Sequence, residues 1–388
     1  MNETVSTERM RQNNKMRKIL GAALFTWALS VPGFAAEGTL KIVSIDVEGG
    51  AATLFLTPEG KSLLIDTGWP AGFGEMPSPD GSREAADRIV AAARTLGIKT
   101  LDYVIVTHYH NDHSGGTSAL VQRIAVGTFI DHGEVRDRLR PGTPPQKAVN
   151  SAAGQYPLYL EAIKGHTRIV AKAGDVISIG SMTATIVSSD AKVLAKPLAG
   201  AGIANPHCDV PGKGLTSDEN ASSVATLLRF GKVAIAQFGD LSWDKEYELA
   251  CPVDRIGKVH LLLVTQHGSG GVSSNPAQVA AMRPDVAIMP NGGKKGGDPE
   301  AIKTVVAQQS LQGLWRLHES YKFPQMSGDP NLIANLNPPQ AEIDKLAMKP
   351  YEAPPDMGYS IAAEVTVDGK ITVTNSRNGF SKRYQTAN

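Results

Sequence analysis

Cysteine is scarce: two in 388 residues, Cys208 and Cys251. A pair allows one disulfide and no disulfide scaffold, so stability must come from a core that 388 residues are ample to bury. Aromatic residues make up only 6% of the chain, and no basic stripe interleaved with aromatics runs along it. No clear nucleic-acid groove is therefore expected. Charge of either sign is not in excess either: the formal net charge is +1, which excludes global attraction to polyanions or anionic membranes. Long apolar runs are also missing. The most apolar stretch, Ile19 to Val31, is too short to span a bilayer comfortably.

That stretch has another reading. Arg17 and Lys18 precede it and Pro32-Gly33-Phe34-Ala35-Ala36 follows it, the n-region, h-region and small-residue pattern of a secretory signal peptide cut after Ala35. Residues 1–35 are read as this signal, with 1–15 a polar upstream extension, and the protein is expected in the periplasm or outside the cell with no transmembrane anchor after processing. Removal of 1–35 takes away five Lys and Arg and two Asp and Glu, leaving 34 against 36 and a charge of −2. In an oxidising compartment a Cys208–Cys251 disulfide is plausible, though the sequence does not show that the two meet.

What is present in abundance is histidine at one place. Three of the nine histidines fall within six residues, in Thr107-His108-Tyr109-His110-Asn111-Asp112-His113-Ser114-Gly115-Gly116. The β-branched run Leu101 to Val106 leads straight into them. His108 and His110, two apart, face the same way if strand geometry continues past Thr107. Asp112 and His113 then turn toward a second point. Imidazole nitrogen with carboxylate oxygen is a ligand set suited to Zn, with Mn or Fe as possible occupants.

The rest of the pattern supports a mixed fold. Strands are expected at 40–47, 51–57 and 62–65, the last ending at Asp66-Thr67-Gly68. A helix from Ser82 to Leu96 precedes the 101–106 strand. Short helices at 117–123 and 151–163 flank a strand at 128–130, and a hairpin occupies 176–179 and 182–187. The pattern resumes with strands at 224–230 and 233–238, ending at Gly239-Asp240, a helix at 243–249, and a strand at 259–265 that ends at Gln266-His267-Gly268. Helices at 275–282 and 299–309 enclose a strand at 285–290. Trp315 and His318 are read in a helical stretch, and residues 320–358, rich in Pro, as irregular. A hairpin at 360–367 and 371–374 closes the chain. Strands followed by alternating strand and helix occur once in each half, so residues 36–319 are read as one domain of two related halves. Residues 320–358 would be an insertion or cap, and 359–388 a C-terminal hairpin completing the domain.

His108-x-His110-x-Asp112-His113, Asp66, Asp240 and His267, each at a strand end and in this order, resemble the metallo-β-lactamase superfold hydrolases. Within them, Asn220-Ala-Ser-Ser223 followed by Gly239-Asp240-Leu241 and Gln266-His267-Gly268-Ser269 looks like the hydrolase domain of bacterial DNA-uptake competence channel proteins and their stand-alone secreted relatives. The resemblance implies an α+β, four-layer αββα sandwich with metal at one edge. It implies that His108 and His110 hold a first metal, and that Asp112, His113 and His267 hold a second, with Asp240 bridging. Asp112 and Asp66 are the carboxylates given a catalytic part, Asp66 by orienting a ligand histidine or the water. A metal pair lowers the pKa of a shared water, giving a hydroxide nucleophile. Many members supply a third histidine to the first metal where this chain has Asn220. The first metal then binds loosely, recruits another histidine such as His207, or is absent, so one Zn or two remain possible.

Further candidates are His132 at a strand end, His318 toward the substrate cleft, and Lys294 or Lys295 in the loop Asn291 to Gly297, where either could meet an anionic substrate. That loop lacks phosphate-loop spacing. The reading is a secreted metal-dependent hydrolase acting on a small-molecule or short phosphodiester substrate. The alternatives are an ester, lactone or lactam hydrolase and a non-catalytic binding protein on the same fold. The sequence is silent on oligomeric state.

Overall fold

The computed structural model describes residues 38–72, 84–213, 217–347 and 357–386. The expected signal peptide and the expected helix start at Ser82 lie outside the described residues.

The first sheet begins as a meander. β1 (Thr39–Ser44), β2 (Thr53–Leu56) and β3 (Ser62–Ile65) pair antiparallel, and β4 (Thr100–Ile105), β5 (Ala125–Asp131) and β6 (Thr167–Val170) extend it in parallel. The second sheet repeats this plan. β7 (Val176–Ile179), β8 (Met182–Ser189), with the short β9 (Lys192–Val193) beside it, β10 (Ala225–Phe230) and β11 (Val233–Gln237) are antiparallel. β12 (Leu261–Leu263), β13 (Val286–Met289), β14 (Gly313–His318) and β15 (Ile333–Asn335) continue in parallel. The chain then returns to the first sheet. β16 (Ile361–Thr366) pairs with β1, followed by β17 (Lys370–Asn375) and β18 (Ser381–Gln385), so each sheet has nine strands.

Parallel strands need crossovers, and these are the helices. α1 (Ala85–Thr95), α2 (Asn111–Ser114), α3 (Thr117–Val121), α4 (Pro145–Val149) and α5 (Ala152–Ala162) belong to the first half. α6 (Asp218–Ala221), α7 (Trp243–Ala250), α8 (Pro276–Met282), α9 (Pro299–Val306) and α10 (Gln340–Ala347) belong to the second. Ile89, Leu120 and Tyr159 of α1, α3 and α5 pack with Leu101 and Val104 on the outer face of the first sheet. Leu249, Val279 and Ile302 of α7, α8 and α9 pack with Ala236 and Leu262 on the outer face of the second. Between the sheets, Phe55, Leu63, Ile105, Leu228, Ile235 and Trp315 form the central core. Each such fully buried side chain contributes roughly 1.5–3 kcal/mol. These three apolar layers make the expected αββα sandwich.

Several elements differ from expectation. The stretch carrying Trp315 and His318 is a strand, not a helix. Leu314 faces the helix layer while Trp315 and Leu317 face the central core, a period of two that six residues are too few to reveal. Within 320–358, Ile333–Asn335 forms edge strand β15 rather than irregular chain, three residues being too short for any pattern. β6 and β18 were not anticipated. β18 is held by Tyr384, whose hydroxyl accepts the indole N–H of Trp315 at 2.9 Å across the two sheets. Cys208 and Cys251 form a disulfide, their Cα atoms 5.7 Å apart.

Candidate metal centre

The carboxyl ends of β3, β4, β11 and β12 meet at one edge of the sandwich, where parallel sheets usually present functional groups. After β4, the backbone leaves the ladder and folds onto the turn after β3. Thr67 N–H donates to the His113 carbonyl at 2.7 Å, and Val224 N–H donates to the Thr107 carbonyl at 2.8 Å. The Gly115-Gly116 ending of the motif serves this contact, since a Cβ on Gly116 would lie 2.0 Å from the Thr67 carbonyl oxygen. Gly239, at φ 58°, passes Thr107 with room only for hydrogen: a Cβ there would lie 2.7 Å from the Thr107 side chain. Gln266 and His267 both take left-handed backbone, φ 50° and 56°, a strained conformation for non-glycine residues. It is held by Gln266 N–H to the Gly239 carbonyl, 2.9 Å, and Gly297 N–H to the His267 carbonyl, 3.0 Å.

The result is a buried tetrad. One ligand atom each from Asp112, His113, Asp240 and His267 lies within 4.8 Å of all the others. His113 Nε2 is 3.1 Å from Asp112 Oδ2, 3.1 Å from Asp240 Oδ1 and 3.2 Å from His267 Nε2. Behind it, His113 Nδ1 is 2.8 Å from Asp66 Oδ2, and Asp66 in turn accepts from Thr107 N–H and Thr107 Oγ1. His267 Nδ1 lies 3.1 Å from the Pro290 carbonyl. Each imidazole thus aims Nε2 at the tetrad and uses Nδ1 on a fixed oxygen, the arrangement that orients metal-binding histidines.

The electrostatics match a cation. Burial works against charge on Asp240, yet His113 and His267 hold its carboxyl well below the usual carboxylate range. Burial likewise opposes Asp112, which Lys295 and His113 hold down. Burial disfavours a charged His113, but Asp240, Asp112 and Asp66 together push its pKa well up. Asp240 Oδ1 is enclosed without a hydrogen-bond partner, with His113 Nε2 at 3.1 Å and His267 Nε2 at 3.4 Å beside it. A buried carboxylate oxygen left so is costly unless something positive meets it. Two imidazoles and two carboxylates at this spacing fit Zn, Mn or Fe.

His108 and His110 sit beside the tetrad, outside its four-residue cluster. His108 Nε2 is 3.0 Å from His110 Nδ1, and the His108 and His113 rings are 4.1 Å apart. Burial, with His113 and His110 nearby, keeps the His108 pKa well below its ordinary value. Asn220, on α6, is buried with its Oδ1 lacking any hydrogen-bond partner. Other candidates lie elsewhere. His132 binds Glu219 at 2.9 Å, and His318 binds Asp46 at 2.7 Å, so neither joins the tetrad. His207 lines a surface cavity with Asp209 and Arg283. In the Gly-rich loop, where the sequence offered Lys294 or Lys295, the lysine that reaches Asp112 Oδ2 is Lys295. Its ammonium also stands 5.3 Å from the centre of the Trp69 ring.

Two residues of the site's surroundings were missed in the sequence. Glu219 accepts Tyr109 N–H at 2.8 Å and Arg136 N–H at 2.7 Å while binding His132, so it fixes the backbone between His108 and His110. Asp137 Oδ2 lies 3.4 Å from His110 Nε2. Adjacency of Glu219 to Asn220 was the one clue available.

Residues 46–182 match the family model described as Metallo-beta-lactamase superfamily. A UPF0173 metal-dependent hydrolase of Cupriavidus taiwanensis is 30% identical over 125 residues, covering 30% of this chain and 36% of that protein. ComE operon protein 3 of Bacillus subtilis is 24% identical over 266 residues, covering 67% of this chain and 29% of that protein. The chain thus spans about a third of the length of these curated relatives. Among solved structures, the metallo-β-lactamase fold protein YhfI from Bacillus subtilis matches with a TM-score of 0.40 and 14% identity, over 72% of this chain and 96% of that one. The family match takes in β2 to β7 and the histidine motif, so it is this first part of the fold that is similar to a metallo-β-lactamase superfamily domain.

Proposed function

We propose that this chain is an exported metal-dependent hydrolase of short phosphodiesters. The observation that carries the reading is Lys295, whose ammonium contacts Asp112 at the edge of a tetrad built for a cation. A fixed positive charge beside a metal position favours a substrate that is itself anionic and gains negative charge on reaction. A phosphodiester meets that description, and a neutral ester does not. The resemblance to competence-type hydrolase domains points the same way, and ComE operon protein 3 is similar over two thirds of the chain.

In this reading Asp112, His113, Asp240 and His267 hold the ion, Zn with Mn or Fe as alternatives. A bound divalent ion supplies Lewis acidity and an acidified water. Asp66 keeps His113 in register, and Lys295 stabilises charge on the phosphoryl oxygens. His108, His110 and Asn220 are the candidates for a second ion. The Cys208–Cys251 disulfide supports an oxidising compartment. Among the described residues no helix is long and apolar enough to cross a membrane.

The test uses protein beginning at Ala36. Metal content is measured first, then turnover of bis-p-nitrophenyl phosphate, a chromogenic lactam and p-nitrophenyl acetate. At least one equivalent of metal and preferential hydrolysis of the phosphodiester are expected. Turnover of the lactam or acetate alone would replace the substrate reading. Metal absence with no turnover of any substrate would leave a binding protein.

A further inference from the structure

No basic run is visible in the sequence, and the whole chain is close to neutral. Folding nevertheless gathers cations on the His110 side of the centre. Arg136, Arg138 and Arg140 all line one cavity of about 550 Å³. A second cavity, of about 700 Å³, shares Arg136, Arg138 and Asp218 with the first and adds Lys192 and Lys245. Shared walls make the two a continuous depression, whose cations come from three segments distant in sequence.

The charges in it are not equivalent. Arg136 is paired with Asp190, Lys192 lies 3.0 Å from the same carboxylate, and Lys245 is 2.6 Å from Glu248. Arg138 and Arg140 are exposed, and among the described residues their guanidinium groups have no ion-pair or hydrogen-bond partner. They are the two cations left available to a ligand. Asp137, between the arginines in sequence, ties this wall to the centre. It contacts His110 at 3.4 Å and receives Glu219 N–H at 3.2 Å and Ser217 Oγ at 3.3 Å. The depression therefore begins one side chain away from His110.

Guanidinium groups suit phosphate because their planar fork donates two parallel hydrogen bonds. Neither cavity is lined by Trp, Tyr or Phe, so bases would find no stacking platform. Recognition of this kind reads phosphates and ignores sequence. We propose that Arg138 and Arg140 form a second phosphate subsite, binding backbone phosphates next to the scissile one in a single-stranded oligonucleotide. The inference rests on the phosphodiesterase reading and gives it a substrate with more than one phosphate.

The experiment separates the two. Binding of a fluorescein-labelled oligothymidylate is followed by anisotropy in EDTA, so that no hydrolysis intervenes, for wild type, Arg138→Gln/Arg140→Gln and the control Lys99→Gln/Lys164→Gln. The arginine double variant should bind at least tenfold more weakly. Its plot of log affinity against log salt should be shallower by about 1.4, the value for two lost single-strand phosphate contacts. With metal present, its ratio of kcat/KM on oligothymidylate to that on bis-p-nitrophenyl phosphate should fall at least tenfold. Equal binding by wild type and the arginine variant, an equal loss in the lysine control, no binding by wild type, or displacement by polyglutamate as effective as by unlabelled oligonucleotide would each overturn the subsite. Failure of wild type to hydrolyse any phosphodiester, with arginine-dependent binding intact, would instead overturn the phosphodiesterase reading alone.

Discussion

Asp66 Oδ2 stands 2.8 Å from Nδ1 of His113, both side chains buried, although 47 residues separate them. Asp66 is also clamped by Thr107, which donates through both its backbone N–H and its hydroxyl. The pair fixes which imidazole nitrogen faces the tetrad. Asp66→Asn should therefore weaken metal binding by about 10–100-fold, the usual effect of removing such a partner. Chelator competition measures it, and circular dichroism reports whether the fold is kept. Unchanged affinity would reduce Asp66 to an element of the turn.

Asp240 and His267 reach the tetrad from the second sheet. Asp240→Asn and His267→Ala should each abolish stoichiometric metal, as measured by elemental analysis after dialysis. His108→Ala and His110→Ala should remove at most the second equivalent. Wild-type metal content in Asp240→Asn would mean that the ion binds elsewhere.

Lys295 touches Asp112 and lies beside Trp69. Lys295→Met should lower kcat/KM for bis-p-nitrophenyl phosphate by about 10²–10³-fold, the range for losing one preorganised charge-stabilising donor. A neutral ester should be affected far less. Equal losses on both substrates would assign Lys295 to folding of the loop.

Glu246, on α7, is fully buried and accepts the Asn275 N–H at 2.8 Å, where the loop carrying His267 meets α8. Burial pushes its pKa up to about 8, from an ordinary 4.5. Its folded-state pKa is raised, so the folded protein holds a proton that the unfolded chain has released. The contribution of Glu246 to stability should therefore be full below pH 4.5 and fall by up to about 1.4 kcal/mol per pH unit as pH rises toward 8. Glu246→Gln should remove that slope, read from urea midpoints between pH 5 and pH 8. Parallel pH profiles for the two proteins would show that Glu246 is charged in the fold.

The Cys208–Cys251 bond closes a loop with a sequence separation of 43. Replacing both cysteines with serine should lower unfolding free energy by about 2–4 kcal/mol, measured by denaturant titration. A midpoint insensitive to dithiothreitol in the parent protein would indicate that the bond is absent in solution.

The sequence by itself determined which residues the candidate site is built from and most of the strands that carry them. His108 to His113 announce themselves through local density, and β3, β4, β8 and β10 through runs of β-branched and apolar residues long enough to carry a pattern. The order of Asp66, Asp240 and His267 behind strand ends was legible for the same reason, since strand ends are local events. Tertiary structure decided everything that depends on which distant segments meet. It chose Lys295 over Lys294, bound His318 to Asp46 and His132 to Glu219, and made β14 a strand because neighbours on both sides supply its ladder. It also brought Arg138, Lys192 and Lys245 around one depression. Metal-ligating residue types can be recognised one by one, whereas a contact between side chains is a property of two places in the chain, and only the packed core sets the distance between them.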